Sequence, residues 1–217
     1  MRLIVSDLHL GSTESQYKKL LPILAKADFT ELYLIGDIFD LWVVDFLDIK
    51  RDCFDFFKVL DDLISKGIVV SYFLGNHDEE IDVTDPIFDK VNVKLTDTIV
   101  IADKKVKFFH GDRYDYLMKK YSLIFKFCAW FFSLFGSSYQ TSLSSKRRTK
   151  NFAFLLNEIK ETAIKENSHV DVLIMGHTHI AEDIIVDGIR YINSGDWINN
   201  NSYIVEENGK FELRRRN

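Results

Sequence analysis

The chain has little with which to brace itself covalently. Only two cysteines, Cys53 and Cys128, occur in 217 residues; they lie far apart and match no metal-binding spacing, so they offer no disulfide framework. Two unpaired thiols suit a reducing compartment. Prolines are as scarce, Pro22 and Pro86 alone, and no repeat or low-complexity linker divides the chain. A single domain over residues 1–217 is expected. Only Leu3, Ile4 and Val5 precede Ser6 and Asp7, too short a run for a signal-peptide core. A cytoplasmic protein is therefore expected. The net charge of −5 gives no case for a nucleic-acid partner.

Charge is nevertheless uneven. Between Arg113 and Lys150 stand eight basic residues and one acid, Asp115, a stretch suited to anionic partners. The apolar fraction of 47% with 28% charged residues is ordinary for a globular domain that buries a sizeable core.

Short apolar runs recur, and most end in a polar cluster. Leu3 to Val5 leads to Asp7-Leu8-His9; Leu32 to Ile35 to Gly36-Asp37; Ile68 to Leu74 to Gly75-Asn76-His77-Asp78. Val106 to Phe109 leads to His110-Gly111-Asp112, Val172 to Met175 to Gly176-His177-Thr178-His179, and Tyr191-Ile192 to Ser194-Gly195-Asp196-Trp197. Continuous runs of this kind read as strands buried on both faces. Helix-like segments near 14–27, 51–66 and 151–167 fall between them. Alternating strands and helices predict an α/β domain whose strand ends carry the chemistry. Residues 202–205 and 211–214, around Asn208-Gly209, predict a closing hairpin.

One region breaks this rhythm. Residues 114–151 contain no strand pattern and are rich in Phe, Trp, Tyr and Lys; they read as a helical insertion lying over the site. Lys126 and Gly136-Ser137-Ser138 interrupt the apolar stretch, which argues against a membrane span.

Five of the six histidines (His9, His77, His110, His177 and His179) sit at or just after strand ends, beside Asp7, Asp37 and Asn76; His169 fits no motif. Imidazole, carboxylate and amide oxygen form a borderline-to-hard donor set suited to manganese, iron or zinc. Two cations roughly 3.5–4 Å apart need a bridging carboxylate and can then clamp a phosphate while activating a water. Asp37 is the candidate bridge. Singly, Asp-x-His or Gly-Asp-x-x-Asp is as readily a turn as a ligand pair, and Gly-Asn-His-Asp alone would make a turn with no function. The ordered set carries more than its parts.

Asp7-x-His9, Gly36-Asp37-x-x-Asp40, Gly75-Asn76-His77-Asp78, His110-Gly111-Asp112 and Gly176-His177-Thr178-His179 resemble the five motifs of the calcineurin-like metallophosphoesterases. The resemblance implies a β-sandwich flanked by helices (αββα) with two divalent metals, Mn2+ first, Fe or Zn otherwise, at the strand ends. It implies Asp7, His9, Asp37 and His179 on one metal, and Asp37, Asn76, His110 and His177 on the other. His77 then stands beside the site as phosphate donor or leaving-group acid, with Asn76 next to it. Asp40, Asp78 and Asp112 are expected around the ligands, orienting imidazoles or holding the loops.

Gly36-Asp37-Ile38-Phe39-Asp40-Leu41-Trp42 and Gly195-Asp196-Trp197 also resemble the bacterial UDP-2,3-diacylglucosamine diphosphatases, which release UMP and lipid X in lipid A biosynthesis and carry a helical lid over the acyl chains. That resemblance implies a phosphorylated or nucleotide-linked lipid substrate, with Phe131, Phe132, Lys146, Arg147 and Arg148 as lid contacts. Physically, an aromatic surface beside a basic cluster suits acyl chains and phosphates, or peripheral contact with an anionic inner-membrane surface; a buried helix hairpin with a solvated basic end is the alternative reading of the same residues. The chain departs from that family in having His77 where Arg is usual, and in lacking an acidic-rich segment after Asp112. A general nucleotide phosphodiesterase or phosphoprotein phosphatase is the competing reading, and a non-catalytic scaffold on the same fold is a third. The complete ligand set speaks against the scaffold.

Overall fold

The computed structural model describes residues 1–133 and 150–216. Two mixed sheets face each other. The first runs β11-β10-β1-β2-β3-β4, with β1 (Arg2–Val5), β2 (Glu31–Ile35), β3 (Val69–Phe73) and β4 (Val91–Lys94) parallel. The hairpin β10 (Ser202–Glu207) and β11 (Lys210–Arg215) joins β1 antiparallel, completing that sheet with the chain's last strands. The second runs β5-β6-β7-β9-β8, with β5 (Thr96–Ile101), β6 (Lys104–Phe109), β7 (Val172–Met175), β8 (Glu182–Val186) and β9 (Ile189–Asn193).

The period-two alternation of a strand sorts its side chains between the layers. Ile4, Tyr33, Ile35 and Phe73 face inward and meet Val106, Phe108, Val172, Ile174 and Ile192 of the other sheet. Leu3, Val5, Leu32, Leu34 and Val70 face outward, under α1 (Leu21–Lys26), α2 (Phe46–Asp52) and α3 (Phe54–Ser65). Leu173, Met175 and Tyr191 pack outward under Leu156, Ile159 and Ala163 of α5 (Lys150–Glu166). Both faces of each sheet are thus covered, which is why the strands read as unbroken apolar runs. The result is a mixed α/β fold of two sheets flanked by helices.

Local chemistry sets the helix bounds. Pro22 stands in the first turn of α1, where its missing N–H costs nothing. The expected helix near 14–27 is therefore a 3₁₀ turn at Tyr17–Lys19 followed by a short α-helix. The expected 51–66 helix is two, α2 and α3, joined at Cys53.

The segment expected to be an insertion is described in part. α4 (Tyr116–Ser133) is helical, with non-helical backbone angles at Tyr121. Phe131 lies on it, 43% exposed. The side chain of Phe132, and Lys146, Arg147 and Arg148, lie outside the described residues. Among the described residues no helix is long and apolar enough to cross a membrane.

Phe108 is fully buried between the sheets, stacked on Tyr33 at 4.8 Å between ring centroids. Phe108→Ala is expected to cost about 3–5 kcal/mol of stability, read from denaturant unfolding. A loss below about 1 kcal/mol would contradict the packing described.

Candidate metal centre

The polar clusters at the carboxyl ends of the strands meet in one place between the two sheets. Asp7 and His9 follow β1, Asp37 follows β2, Asn76 follows β3, His110 follows β6 and His177 and His179 follow β7. Each chain segment must turn off its strand at once to lift a side chain over the strand ends. Asp7, His9, Asp37, His177 and His179 accordingly have positive φ, between 48° and 66°. That region is unfavourable for side-chain-bearing residues, and such strain concentrates at functional sites.

Hydrogen bonds lace the turns together. Asp7 N–H donates to Gly36 O at 3.0 Å, His9 N–H to Asp37 O at 3.0 Å, and Gly176 N–H to His110 O at 3.0 Å. The carboxylates are held too: His77 N–H donates to Asp37 Oδ1 at 2.9 Å and His177 N–H to Asp7 Oδ2 at 3.1 Å. Two motif glycines are required by closeness. A Cβ on Gly36 would sit 2.3 Å from His110 Nδ1, and one on Gly75 2.3 Å from Asp37 Oδ1.

Ligand atoms of Asp7, His9, Asp37 and His179 lie within 4.8 Å of one another, and so do those of Asp37, His110 and His177. Asp37 belongs to both groups. Asn76 is buried beside them, with its backbone carbonyl accepting from Trp42 Nε1 at 2.9 Å.

The loose ends of this cluster show what it suits. Asp7 Oδ1, both side-chain polar atoms of Asn76 and His110 Nε2 are buried without a hydrogen-bond partner among the described residues. His110 Nε2 is 3.1 Å from Asp37 Oδ2 but makes no hydrogen bond to it. An unpaired buried polar atom ordinarily costs about 1–3 kcal/mol, so several at one spot need a cause. Donor atoms that converge without bonding each other fit divalent cations. Two imidazoles are oriented from behind, as ligating histidines are: His110 Nδ1–H donates to Ile35 O at 3.0 Å, and His179 Nδ1–H to Asp196 Oδ2 at 2.9 Å.

Electrostatics follow from burial. Desolvation works to raise the Asp37 carboxyl, but the His110 and His77 imidazoles outweigh it and hold its pKa well below the ordinary range. Desolvation likewise opposes charge on His77, yet the Asp37 and Asp40 carboxylates outweigh it and raise its pKa. His77 is held on two sides. Nδ1–H donates to Asp40 Oδ1 at 2.8 Å, and the ring stacks on Trp42 at 3.8 Å.

The other expected residues differ in what they touch. Asp40 approaches His9 Nδ1 at 3.7 Å as well as bonding His77. Asp78 holds loops: it accepts from the N–H of Asp37 at 2.9 Å, Ile38 at 3.0 Å and Gly75 at 3.2 Å, and from the Tyr72 hydroxyl. Burial and the nearby Asp37 charge raise its pKa to about 6. Asp112 is half-buried and opens the 3₁₀ turn that leads to Asp115. Asp115 itself, counted only as the lone acid of a basic stretch, lies 3.2 Å from His177 Nε2.

Buried imidazoles and carboxylates at the strand ends of an αββα sandwich define a metallophosphoesterase-type hydrolase. The chain belongs to the calcineurin-like phosphoesterase family, whose sequence model matches residues 2–181, and it is a metal-dependent phosphoester hydrolase. It is similar to a Porphyromonas gingivalis protein named UDP-2,3-diacylglucosamine hydrolase, 25% identical over 92% of this chain and 91% of that protein. A Haemophilus influenzae protein of the same name is 26% identical, over 95% of each chain. Among solved structures, an archaeal phosphodiesterase superimposes with a TM-score of 0.52 at 17% identity, over 99% of this chain and 98% of that one; this likeness shows the fold.

Gly75→Ala tests how tightly the centre is built. The added methyl would meet the Asp37 carboxylate at 2.3 Å and its backbone N at 2.5 Å, so divalent-metal content measured by elemental analysis and the melting temperature of the metal-free protein are both expected to fall. Unchanged metal content would show that the loop has room to spare.

Proposed function

We propose that the chain cleaves the pyrophosphate of UDP-2,3-diacylglucosamine, or of a closely similar nucleotide-linked lipid, giving UMP and lipid X. The observation that carries this reading is a likeness to hydrolases of that substrate that runs the length of both chains. In this reading Asp7, His9, Asp37 and His179 hold one divalent ion, and Asp37, Asn76, His110 and His177 the other, with manganese the expected metal. When bound, the ions supply Lewis acidity that activates water and offsets phosphoryl charge. His77, held by Asp40 and Trp42, donates to a phosphoryl oxygen or protonates the leaving group.

In this reading a single domain carries a lid expected over about residues 114–151, of which α4 is described and residues 134–149 lie outside the described residues. The lid reading is supported by how α4 is tied down. It starts beside Asp115, which touches His177, and Lys126 reaches Glu79 at 3.0 Å and Glu80 at 2.6 Å, just past the Asn76-His77-Asp78 loop. Leu123, Ile124, Phe127 and Trp130 are exposed along α4, an apolar surface suited to acyl chains and to the face of an anionic membrane.

A panel of UDP-2,3-diacylglucosamine, a dinucleoside polyphosphate, a cyclic nucleotide and a phosphopeptide, each with Mn2+, tests the assignment. The acylated nucleotide is expected to turn over fastest. Preference for any water-soluble member would replace the lipid reading by a general phosphodiesterase or phosphatase.

Asp37→Ala and His177→Ala are each expected to lower the rate at least roughly a hundred-fold, since either leaves a metal under-coordinated. His77→Ala is expected to lower turnover while both metals stay bound, as elemental analysis would show; metal loss in that variant would make His77 a ligand.

A further inference from the structure

We propose that Asp196 is a positioning residue that sets the tautomer of His179 and through it the strength of the metal site built around Asp7, His9 and Asp37. The inference rests on the metal reading above. Asp196 is fully buried in the loop after β9, and its two oxygens are engaged differently. Oδ1 accepts from the N–H groups of Asn199 at 2.9 Å and Asn200 at 2.8 Å, with Ile198 N–H at 3.4 Å and Asn200 Nδ2 at 3.2 Å. Oδ2 faces His179 Nδ1 at 2.9 Å. Asn200 Nδ2 also donates to the His179 carbonyl at 2.7 Å, fixing ring and backbone to the same loop.

An ionised carboxylate only accepts. The loop N–H groups converge on Oδ1, which leaves Oδ2 to accept from the imidazole at Nδ1. The hydrogen of a neutral His179 therefore sits on Nδ1. Nε2 keeps its lone pair, 3.1 Å from Asp7 Oδ1 and 3.3 Å from His9 Nε2. A lone pair aimed at a carboxylate oxygen is unfavourable alone and favourable with a cation between them.

Asp196→Asn separates this role from loop support. The donors gathered on Oδ1 leave an asparagine one orientation, with its amide oxygen on the backbone N–H groups and its NH2 toward His179. Two N–H groups cannot share that contact, so the imidazole must carry its hydrogen on Nε2, where it blocks coordination. Metal-free wild type and variant would be titrated with Mn2+ by calorimetry. One of the two sites is expected to weaken on the order of 10–100-fold in the variant, with the other site and the metal-free melting temperature unchanged. Two sites of wild-type affinity in Asp196→Asn would overturn the proposal. Should the variant fail to fold, nitrogen NMR of the metal-free wild-type imidazoles carries the test: His179 is expected as the Nδ1–H tautomer, and the Nε2–H tautomer would overturn it. A wild type that binds no Mn2+ would instead overturn the metal reading itself, and this inference with it.

Discussion

Two carboxylates, Asp7 and Asp37, are buried side by side between the sheets, and like charges removed from water are costly unless something positive meets them. Most features of the centre answer that demand. Backbone N–H groups of His77 and His177 point at the carboxylates, and a ring of imidazoles surrounds them. Neither device alone consumes the charge. Asp7 Oδ1, the Asn76 amide and the Nε2 atom of His110 stay buried without a hydrogen-bond partner among the described residues, and the family's divalent metals meet that need.

The sandwich makes such burial possible. β1, β2 and β3 run parallel in one sheet, and β6, β7 and β9 in the other, so six strand ends open toward the same edge of the interface. Side chains from six separate segments can then converge without any one segment being long. The cost falls on the backbone, in positive φ at five ligand candidates, and the hydrogen-bonded turns carry it. Glycine at 36 and 75 lets neighbouring turns approach to distances no Cβ would tolerate.

The inner strands and their polar termini were legible because both signals are local: an unbroken apolar run, then His, Asp or Asn within a few residues. β4, β5 and β8 were not, since they lie at or near sheet edges with mixed exposure and their sequences lack a continuous apolar run. The residues that orient the ligands were harder still. Asp196 stood out only as part of Gly195-Asp196-Trp197, and nothing in spacing says that it meets His179 rather than making a turn. It does both, one oxygen for each. Asp78, three residues from Gly75, serves the backbone of Asp37 and Ile38 in another loop. Such cross-loop partnerships exist only once the sheet has brought the strand ends together.

His77 is one of the points at which the chain departs from the diphosphatases it resembles, which usually carry Arg there. A guanidinium brings its own permanent charge to a phosphate. An imidazole does so only if something stabilises its proton, and the chain supplies that within the same motifs. Asp40, outside the proposed ligand set, takes the Nδ1–H at 2.8 Å, and the face of Trp42 lies 3.8 Å away. A carboxylate on one side and an aromatic face on the other both favour the cation. With Nδ1–H committed to Asp40, the charged ring has its second N–H, on Nε2, free of that bond. Trp42 in turn is anchored to the carbonyl of Asn76, so the group that supports the proton donor is fixed to a proposed metal ligand. In the proposed role, His77 is a proton donor held by Asp40 and Trp42, and its placement is tied to the metal centre it serves.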